Sequence, residues 1–208
     1  MRTSTAFAVV VLIVSPLIAL TAETNKSWTF DSETVGVVPD GFAVAQGQWA
    51  VVADSDAPSK PNALAQTAKN SGSKFNIILN KGIAAQDLDL SVKMKAIAGG
   101  EDQGGGLVWR ARDASNYYIA RYNPLEDNYR VYKVVDGRRS ELRSATIKHT
   151  DGWHTLRIEM IGDHIQCYYD GQKKLDVKDS TFKEGGQIGL WSKADAQSHF
   201  DDLTLKGK

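Results

Sequence analysis

The chain has 208 residues, and its 25 lysines and arginines balance 25 aspartates and glutamates. Without a basic block or an acidic tail, this balance argues against nucleic acid as a partner. The lone cysteine, Cys167, excludes an intrachain disulfide, so stability has to come from the core of one domain.

The N-terminal segment is predicted to be a cleaved signal peptide. Arg2 precedes an apolar stretch from Ala6 to Leu20, and the small residues Thr21-Ala22 follow it. The stretch is shorter than the roughly 20 residues that a membrane span needs. Removal of residues 1–22 would leave residues 23–208 as a single exported domain without a membrane span, in the periplasm or outside the cell. Retention as an N-terminal anchor is the alternative.

Alternation of apolar and polar residues predicts strands through the rest of the chain. Leu88, Leu90, Val92 and Met94 alternate with polar residues, and the run His154–Met160 repeats the pattern. Each run is typical of a strand with one buried face. No segment after residue 23 keeps apolar residues at helical spacing, so we expect an all-β fold.

Turn signals separate these strands. Asp136-Gly137, Gly162-Asp163 and Asp170-Gly171 each lie between two alternating runs, and both residue types tolerate the positive φ of tight hairpins. We therefore expect a hairpin over residues 128–145 and a three-strand meander over residues 153–177. About a dozen strands in all favour a two-sheet antiparallel sandwich.

Four segments in succession carry a family resemblance: Gly104–Arg121, which contains Asn116-Tyr117-Tyr118, then Asp151–Ile158, Gly186–Trp191 and Phe200–Leu205. Their order is similar to that of the concanavalin A-like lectin/glucanase superfamily, which includes laminin-G-like domains. Over residues 27–206 the chain most resembles the 3-keto-disaccharide hydrolase domain family. This resemblance implies a jelly-roll sandwich and a sugar-related role. It does not imply a reaction, because the superfamily contains enzymes, lectins and structural modules.

The sequence lacks the catalytic patterns of known glycosidases and hydrolases. A retaining glycosidase needs two carboxylates about 5.5 Å apart, and the Glu-x-Asp-x-x-Glu motif of the glucanases is absent. Asp87 and Asp89 share a strand face and are interpreted as solvated, and no Gly-x-Ser-x-Gly elbow is present. These absences favour a non-catalytic protein and leave the catalytic residues unassigned.

The strand around Trp191 is predicted to contribute to a ligand-binding face. Alternation places Ile188 and Leu190 towards the core, and Trp191 and Lys193 on the opposite face. A large aromatic ring beside polar neighbours can stack on a sugar ring. The other polar side chains expected to converge there are those of Arg110, Arg112, Arg121 and Asn123. The alternative is a second-layer core tryptophan with solvated arginines.

Calcium is the metal that the resemblance implies, because related sandwiches often hold a structural ion between the N-terminal strand and a C-terminal aspartate. The matching positions are Asp31 or Glu33 and Asp201 or Asp202. Oxygen ligands are the kind that calcium takes. Solvated carboxylates are the alternative, and no other cofactor is expected.

Three functions remain open at this stage. The first is an exported, non-catalytic module that binds carbohydrate, or another surface, on the concave sheet. The second is a glycoside hydrolase acting on 3-keto-disaccharides or related sugars, with residues such as Arg121 in its groove. The third is a structural subunit whose concave face binds protein.

Overall fold

The computed structural model describes residues 25–207, and the predicted signal peptide lies outside the described residues. No helix in that range is long and apolar enough to cross a membrane. Its regular structure consists of strands: β1 (Asn25–Trp28), β2 (Phe42–Gln46), β3 (Trp49–Ala53), β4 (Asn62–Gln66), β5 (Phe75–Asn80), β6 (Leu88–Ala98), β7 (Gly105–Asp113), β8 (Asn116–Asn123), β9 (Asn128–Val135), β10 (Arg138–Thr146), β11 (Trp153–Ile161), β12 (His164–Tyr169), β13 (Gln172–Lys178), β14 (Gln187–Lys193) and β15 (Gln197–Gly207).

The strands form two antiparallel sheets. The first sheet has the order β13-β12-β11-β6-β15-β4-β3, with β1 paired to β15, and the second has the order β10-β9-β8-β7-β14-β5-β2. In the first sheet β6 lies between β11 and β15, and in the second sheet β14 lies between β7 and β5, so the chain crosses repeatedly from one sheet to the other. The fold is therefore the two-sheet antiparallel jelly-roll sandwich that the sequence predicted.

One apolar core fills the space between the sheets. In β6 the apolar residues from Leu88 to Met94 are buried and the polar residues between them are half-buried, which is the period of a strand with one face on the core. The ring of Trp109 stacks on that of Tyr118 with 5.5 Å between centroids. Cys167 lies in the same core, and burial raises the pKa of its thiol far above the usual value.

The predicted hairpins are present. Asp136 and Gly137 connect β9 to β10 with φ angles of 50° and 75°, and Asp170 and Gly171 connect β12 to β13 with φ angles of 47° and 76°. Aspartate and glycine tolerate this left-handed conformation better than most residues. The hairpin formed by β9 and β10 and the meander formed by β11, β12 and β13 are thereby confirmed.

Candidate functional site

The second sheet has a further apolar face, turned away from the core between the sheets. Along β8, Tyr118 and Ala120 belong to that core, whereas Tyr117 and Ile119 belong to a separate cluster. Alternation along the strand places Arg121 on the same side as this second cluster. The cluster extends onto four other strands through Ile77, Leu79, Val108, Tyr132, Val134 and Trp191.

This outer face is concave. Four strands separate β10 from β5, so a flat sheet would hold them about 24 Å apart, given a spacing of about 4.8 Å between neighbours. The guanidinium carbon of Arg139 in β10 nevertheless lies 5.4 Å from the ring centroid of Phe75 in β5. Two side chains cannot span the flat distance, so the sheet curves and brings its two ends together over this face.

Rings from four strands form what we call the aromatic patch: Phe75, Tyr117, Tyr132 and Trp191. The Phe75 and Trp191 rings lie 5.2 Å apart, and the Trp191 indole N–H donates to the Tyr117 hydroxyl over 3.1 Å. Burial raises the pKa of Tyr117, which keeps that hydroxyl neutral. Trp191 is fully buried and Phe75 half-buried. Trp191 therefore forms the floor of the aromatic patch, and Phe75 forms an accessible part of it.

Beside the aromatic patch lies a charged cluster, defined as Asp102, Arg121, Asn123, Glu126, Arg130 and Lys193. Asp102 is 1% exposed, and its carboxylate accepts hydrogen bonds from Arg121 Nη1 at 3.0 Å, Asn123 Nδ2 at 2.9 Å and Lys193 Nζ at 3.1 Å. Arg121 Nη2 also donates to Glu126 over 2.9 Å. The Arg121 guanidinium thus joins a buried carboxylate to a partly exposed one.

Glu126 is the accessible carboxylate of the charged cluster. Its side chain is 43% exposed, and Arg130 lies 3.3 Å from the same oxygen that Arg121 contacts. Burial by itself would raise the pKa of Glu126, but the hydrogen bond from Asn128 and the charges of Arg121 and Arg130 lower it below the usual value. Glu126 is therefore ionised at neutral pH, between two arginines.

Four of the six ligand residues predicted from the sequence meet on this face. Arg121, Asn123 and Lys193 converge on Asp102, and Trp191 lies in the aromatic patch. The tryptophan was expected to be open for stacking on a sugar ring, but its ring is covered. The burial of Trp191 therefore agrees better with the alternative, a core tryptophan in a second layer, than with a ring open to a ligand.

Arg110 and Arg112 do not join the others. Arg110 has a φ of 46°, and the β7–β8 register shifts after Trp109, so the alternation that was expected to continue along β7 stops there. The Arg110 guanidinium donates to the carbonyl oxygens of Gln86 and Phe182 at 2.7 and 2.8 Å. Arg112 lies over the ring of the same phenylalanine. Both arginines tie the Phe182 loop to the edge of the sandwich.

Sequence reasoning missed several residues of the face. Asp102 lies in a glycine-rich loop that carries no strand pattern, Glu126 lies in a turn, and Arg139 is one of two adjacent arginines at the start of β10. Besides the alternation around Trp191, the alternation in β9, which places Tyr132 on the same side as Arg130, was a local signal for the aromatic patch.

The four carboxylates predicted to bind calcium do not form one ligand set. Asp31 accepts a hydrogen bond from the Asn62 backbone N–H over 3.2 Å, and Asp202 faces Lys93 across 3.6 Å. Glu33 contributes its backbone carbonyl oxygen to the Asn62 side chain. Within residues 25–207, no group of three or more His, Cys, Asp or Glu side chains could hold a metal ion.

Asp201 is the one buried carboxylate of the four, and its oxygens accept hydrogen bonds that a cation would have to displace. Its buried carboxylate accepts hydrogen bonds from the backbone N–H and the hydroxyl of Ser59, each at 2.8 Å. That hydroxyl also lies 3.2 Å from the Thr29 carbonyl oxygen, so one proton faces oxygen acceptors of two residues. Burial raises the pKa of Asp201, and the Ser59 hydrogen bonds oppose the rise. Structural calcium stays a prediction, and Asp201, as the buried carboxylate of the four, is the residue whose replacement tests it.

We expect calcium to raise the unfolding temperature of the protein if it binds here. A ligand at about 100 times its Kd stabilises the native state by about 2.7 kcal/mol, which corresponds to several degrees. Differential scanning fluorimetry with calcium, with magnesium and with chelator measures the effect, and Asp201→Asn should remove it while Asp31→Asn should not. Equal unfolding temperatures in calcium and in chelator would exclude the site.

Comparison with solved structures supports the fold. The carbohydrate-binding module CBM66 from Bacillus subtilis superposes with a TM-score of 0.69 at 24% identity, over 80% of this chain and 96% of the module. The cellulose-induced protein Cip1 superposes with a TM-score of 0.64 at 12% identity, over 86% of this chain and 96% of Cip1. At these identities the likeness establishes the sandwich architecture. No curated protein matches the chain.

A family model gives a more specific assignment. The model described as the 3-keto-alpha-glucoside-1,2-lyase-like domain matches residues 21–206, which include every strand of both sheets except the last residue of β15. This is the family that the order of the sequence landmarks indicated. The chain therefore belongs to the 3-keto-alpha-glucoside-1,2-lyase-like domain family.

Proposed function

We propose that this protein binds carbohydrate, without turning it over, on the concave face of its second sheet. The observation that carries the proposal is the position of the aromatic patch directly beside the charged cluster. Gly106 in β7 is paired in register with Trp191 on one side and with Arg121 on the other. Because glycine has no side chain, no side chain of β7 stands between Trp191 and Arg121 at this position. Rings contact the apolar faces of a sugar, and charged groups hydrogen-bond its hydroxyls.

The charged cluster also contains an unpaired hydrogen-bond donor. Arg121 Nε is buried and has no hydrogen-bond partner in the described part of the chain. Leaving a buried donor unpaired costs about 1–3 kcal/mol. A hydroxyl of a bound sugar would supply the missing acceptor, which makes this atom a direct contact in our proposal.

The comparisons support a sugar ligand, and the electrostatics support binding over hydrolysis. The family is described by its likeness to an enzyme acting on a glucoside, and CBM66 is described as a carbohydrate-binding module. A glycosidase needs a carboxylic acid whose raised pKa lets it donate a proton. The accessible carboxylate here, Glu126, has a lowered pKa. The N-terminal sequence supports binding outside the cytoplasm.

We expect Phe75→Ala to weaken sugar binding at least about tenfold, because the half-buried ring is an accessible apolar contact of the aromatic patch. The ligand is first found by a glycan array and a thermal-shift screen, and affinities are then measured by isothermal titration calorimetry. Val35→Ala is the matched control, since Val35 is 53% exposed and belongs to neither apolar cluster. An array without signal, or equal losses for the two variants, would refute the proposal.

A second candidate is the elimination that the family description names. In a 1,2-elimination from a 3-keto-glycoside, a base removes the C2 proton, the C1=C2 double bond forms, and the C1–O bond breaks as the leaving oxygen takes a proton. Glu126 favours this candidate because it is an accessible carboxylate between Arg121 and Arg130, whose charges would stabilise an enolate at the neighbouring ketone oxygen. Its lowered pKa makes it a weak base, which ranks elimination second.

The two candidates differ in a direct measurement. Elimination produces a conjugated enone, which ultraviolet absorbance follows during incubation of the purified protein with a 3-keto-glucoside. If the second candidate is correct, the absorbance rises and Glu126→Gln abolishes the rise. If the protein only binds sugars, the absorbance stays flat while calorimetry records binding.

A further inference from the structure

Arg139 occupies an unusual position on the concave face. Its guanidinium carbon lies 4.4 Å from the ring centroid of Tyr132, 5.4 Å from that of Phe75 and 5.6 Å from that of Trp191. These three rings belong to β9, β5 and β14, so the side chain reaches across the curved sheet. Guanidinium groups stack favourably on aromatic faces, which holds the cation in place without a carboxylate.

Arg139 forms no salt bridge within residues 25–207, although the carboxylates of Asp102 and Glu126 are near enough to act on its charge. The other cations of the face are paired: Arg121 and Lys193 with Asp102, and Arg130 with Glu126. The nearest acid along the same strand, Glu141, faces Arg130 at 3.4 Å. Arg139 Nη1 is buried and has no hydrogen-bond partner among the described residues. The Arg139 guanidinium is thus partly desolvated, and its Nη1 hydrogen-bond donor is unpaired.

The missing partner has a recognisable chemistry. A planar guanidinium with free N–H groups matches a planar carboxylate, which it can bind through two parallel hydrogen bonds. Among the rings around it, that of Phe75 is accessible and suits the apolar face of a pyranose. We propose that the ligand is an acidic glycan, whose uronic acid residue places its carboxylate on Arg139 beside the aromatic patch. This inference rests on the proposed carbohydrate binding and names the class of sugar.

The test compares each acidic oligosaccharide with its own neutral form. Oligomers of galacturonic, glucuronic and mannuronic acid, and the same oligomers with methyl-esterified carboxyl groups, are titrated into the purified protein by calorimetry at low ionic strength. We expect at least one acid to bind about tenfold more tightly than its ester. Arg139→Gln should abolish this preference, so that each acid and its ester bind with equal affinity, and Arg139→Lys should keep part of the preference, because lysine retains the charge and lacks the planar guanidinium.

Arg138→Gln is the matched control, because Arg138 is exposed and its replacement removes the same charge one residue away. It should leave the preference unchanged, and unfolding temperatures show whether each variant is folded. Equal affinity for acids and esters would overturn the inference and leave carbohydrate binding standing. Equal losses in Arg138→Gln and Arg139→Gln would also overturn it, because a general field effect would then explain the preference. Absence of binding to acids, esters and every neutral glycan would overturn the proposed function as well.

Discussion

Replacing Arg121 with methionine should lower the free energy of unfolding by about 3–5 kcal/mol. Arg121 and Asp102 are each 1% exposed, and their side chains meet at 3.0 Å. Removing the arginine leaves the Asp102 carboxylate buried, with Lys193, Asn123 and the Gln103 backbone N–H as its remaining hydrogen-bond donors. For a domain of this size, the loss corresponds to a fall in unfolding temperature of roughly 6–20 °C.

Chemical denaturation of three variants separates the buried charge from the lost packing. Adding Asp102→Asn to Arg121→Met removes a buried carboxylate that has lost one of its two cations and keeps only the partly exposed Lys193, so the double variant should be more stable than Arg121→Met alone. Lys193→Met removes a partner that is 22% exposed and should cost less than Arg121→Met. A loss below about 1 kcal/mol for Arg121→Met would show that the pair does not stabilise the fold.

This expectation affects how function is tested. A glycan-binding defect in an Arg121 variant would mix lost contacts with lost stability, because the same side chain contacts the ligand face and supports it. Glu126 is 43% exposed and Phe75 is half-buried, so their replacement disturbs the fold less. They are therefore better probes of the concave face than the arginine that the sequence singled out.

Gly106→Ala should prevent the native fold or cost more than about 4 kcal/mol. A Cβ atom built on Gly106 would lie 1.8 Å from the Ala120 carbonyl oxygen and 2.9 Å from the Arg121 Cα. Backbone atoms of a paired central strand cannot move aside without breaking the β7–β8 ladder. The strain falls at the boundary between the aromatic patch and the charged cluster, so the concave face would be lost with the fold.

Soluble yield, circular dichroism and thermal unfolding measure this effect, with Gly82→Ala as the control. A Cβ on Gly82 would meet nothing nearer than the Asn80 side chain at 3.8 Å, which is ordinary van der Waals contact. The control should therefore unfold within a few degrees of the parent protein. If Gly106→Ala were as stable as Gly82→Ala, the close pairing of β7 with β8 would be incorrect.

The number of strands shows where local patterns fail. About a dozen strands were expected, and residues 25–207 form fifteen. Residues of β4 are buried along its whole length, as are those of β5 after Phe75, so these strands lack the alternation that marks a half-exposed strand. β1 fails for the opposite reason, because it is short and mostly exposed at its pairing with β15.

The sequence by itself determined the all-β class, the hairpin turns and the sides on which Arg121, Asn123, Trp191 and Lys193 point. These follow from the two-residue period of a strand, which is local. Only the tertiary structure decided that Arg110 leaves the face, because one residue with positive φ interrupts that period. Strand order and curvature bring together the loop carrying Asp102, the turn carrying Glu126 and Arg139 of β10. No local pattern encodes that meeting, because it depends on which strands pair and how far the sheet bends.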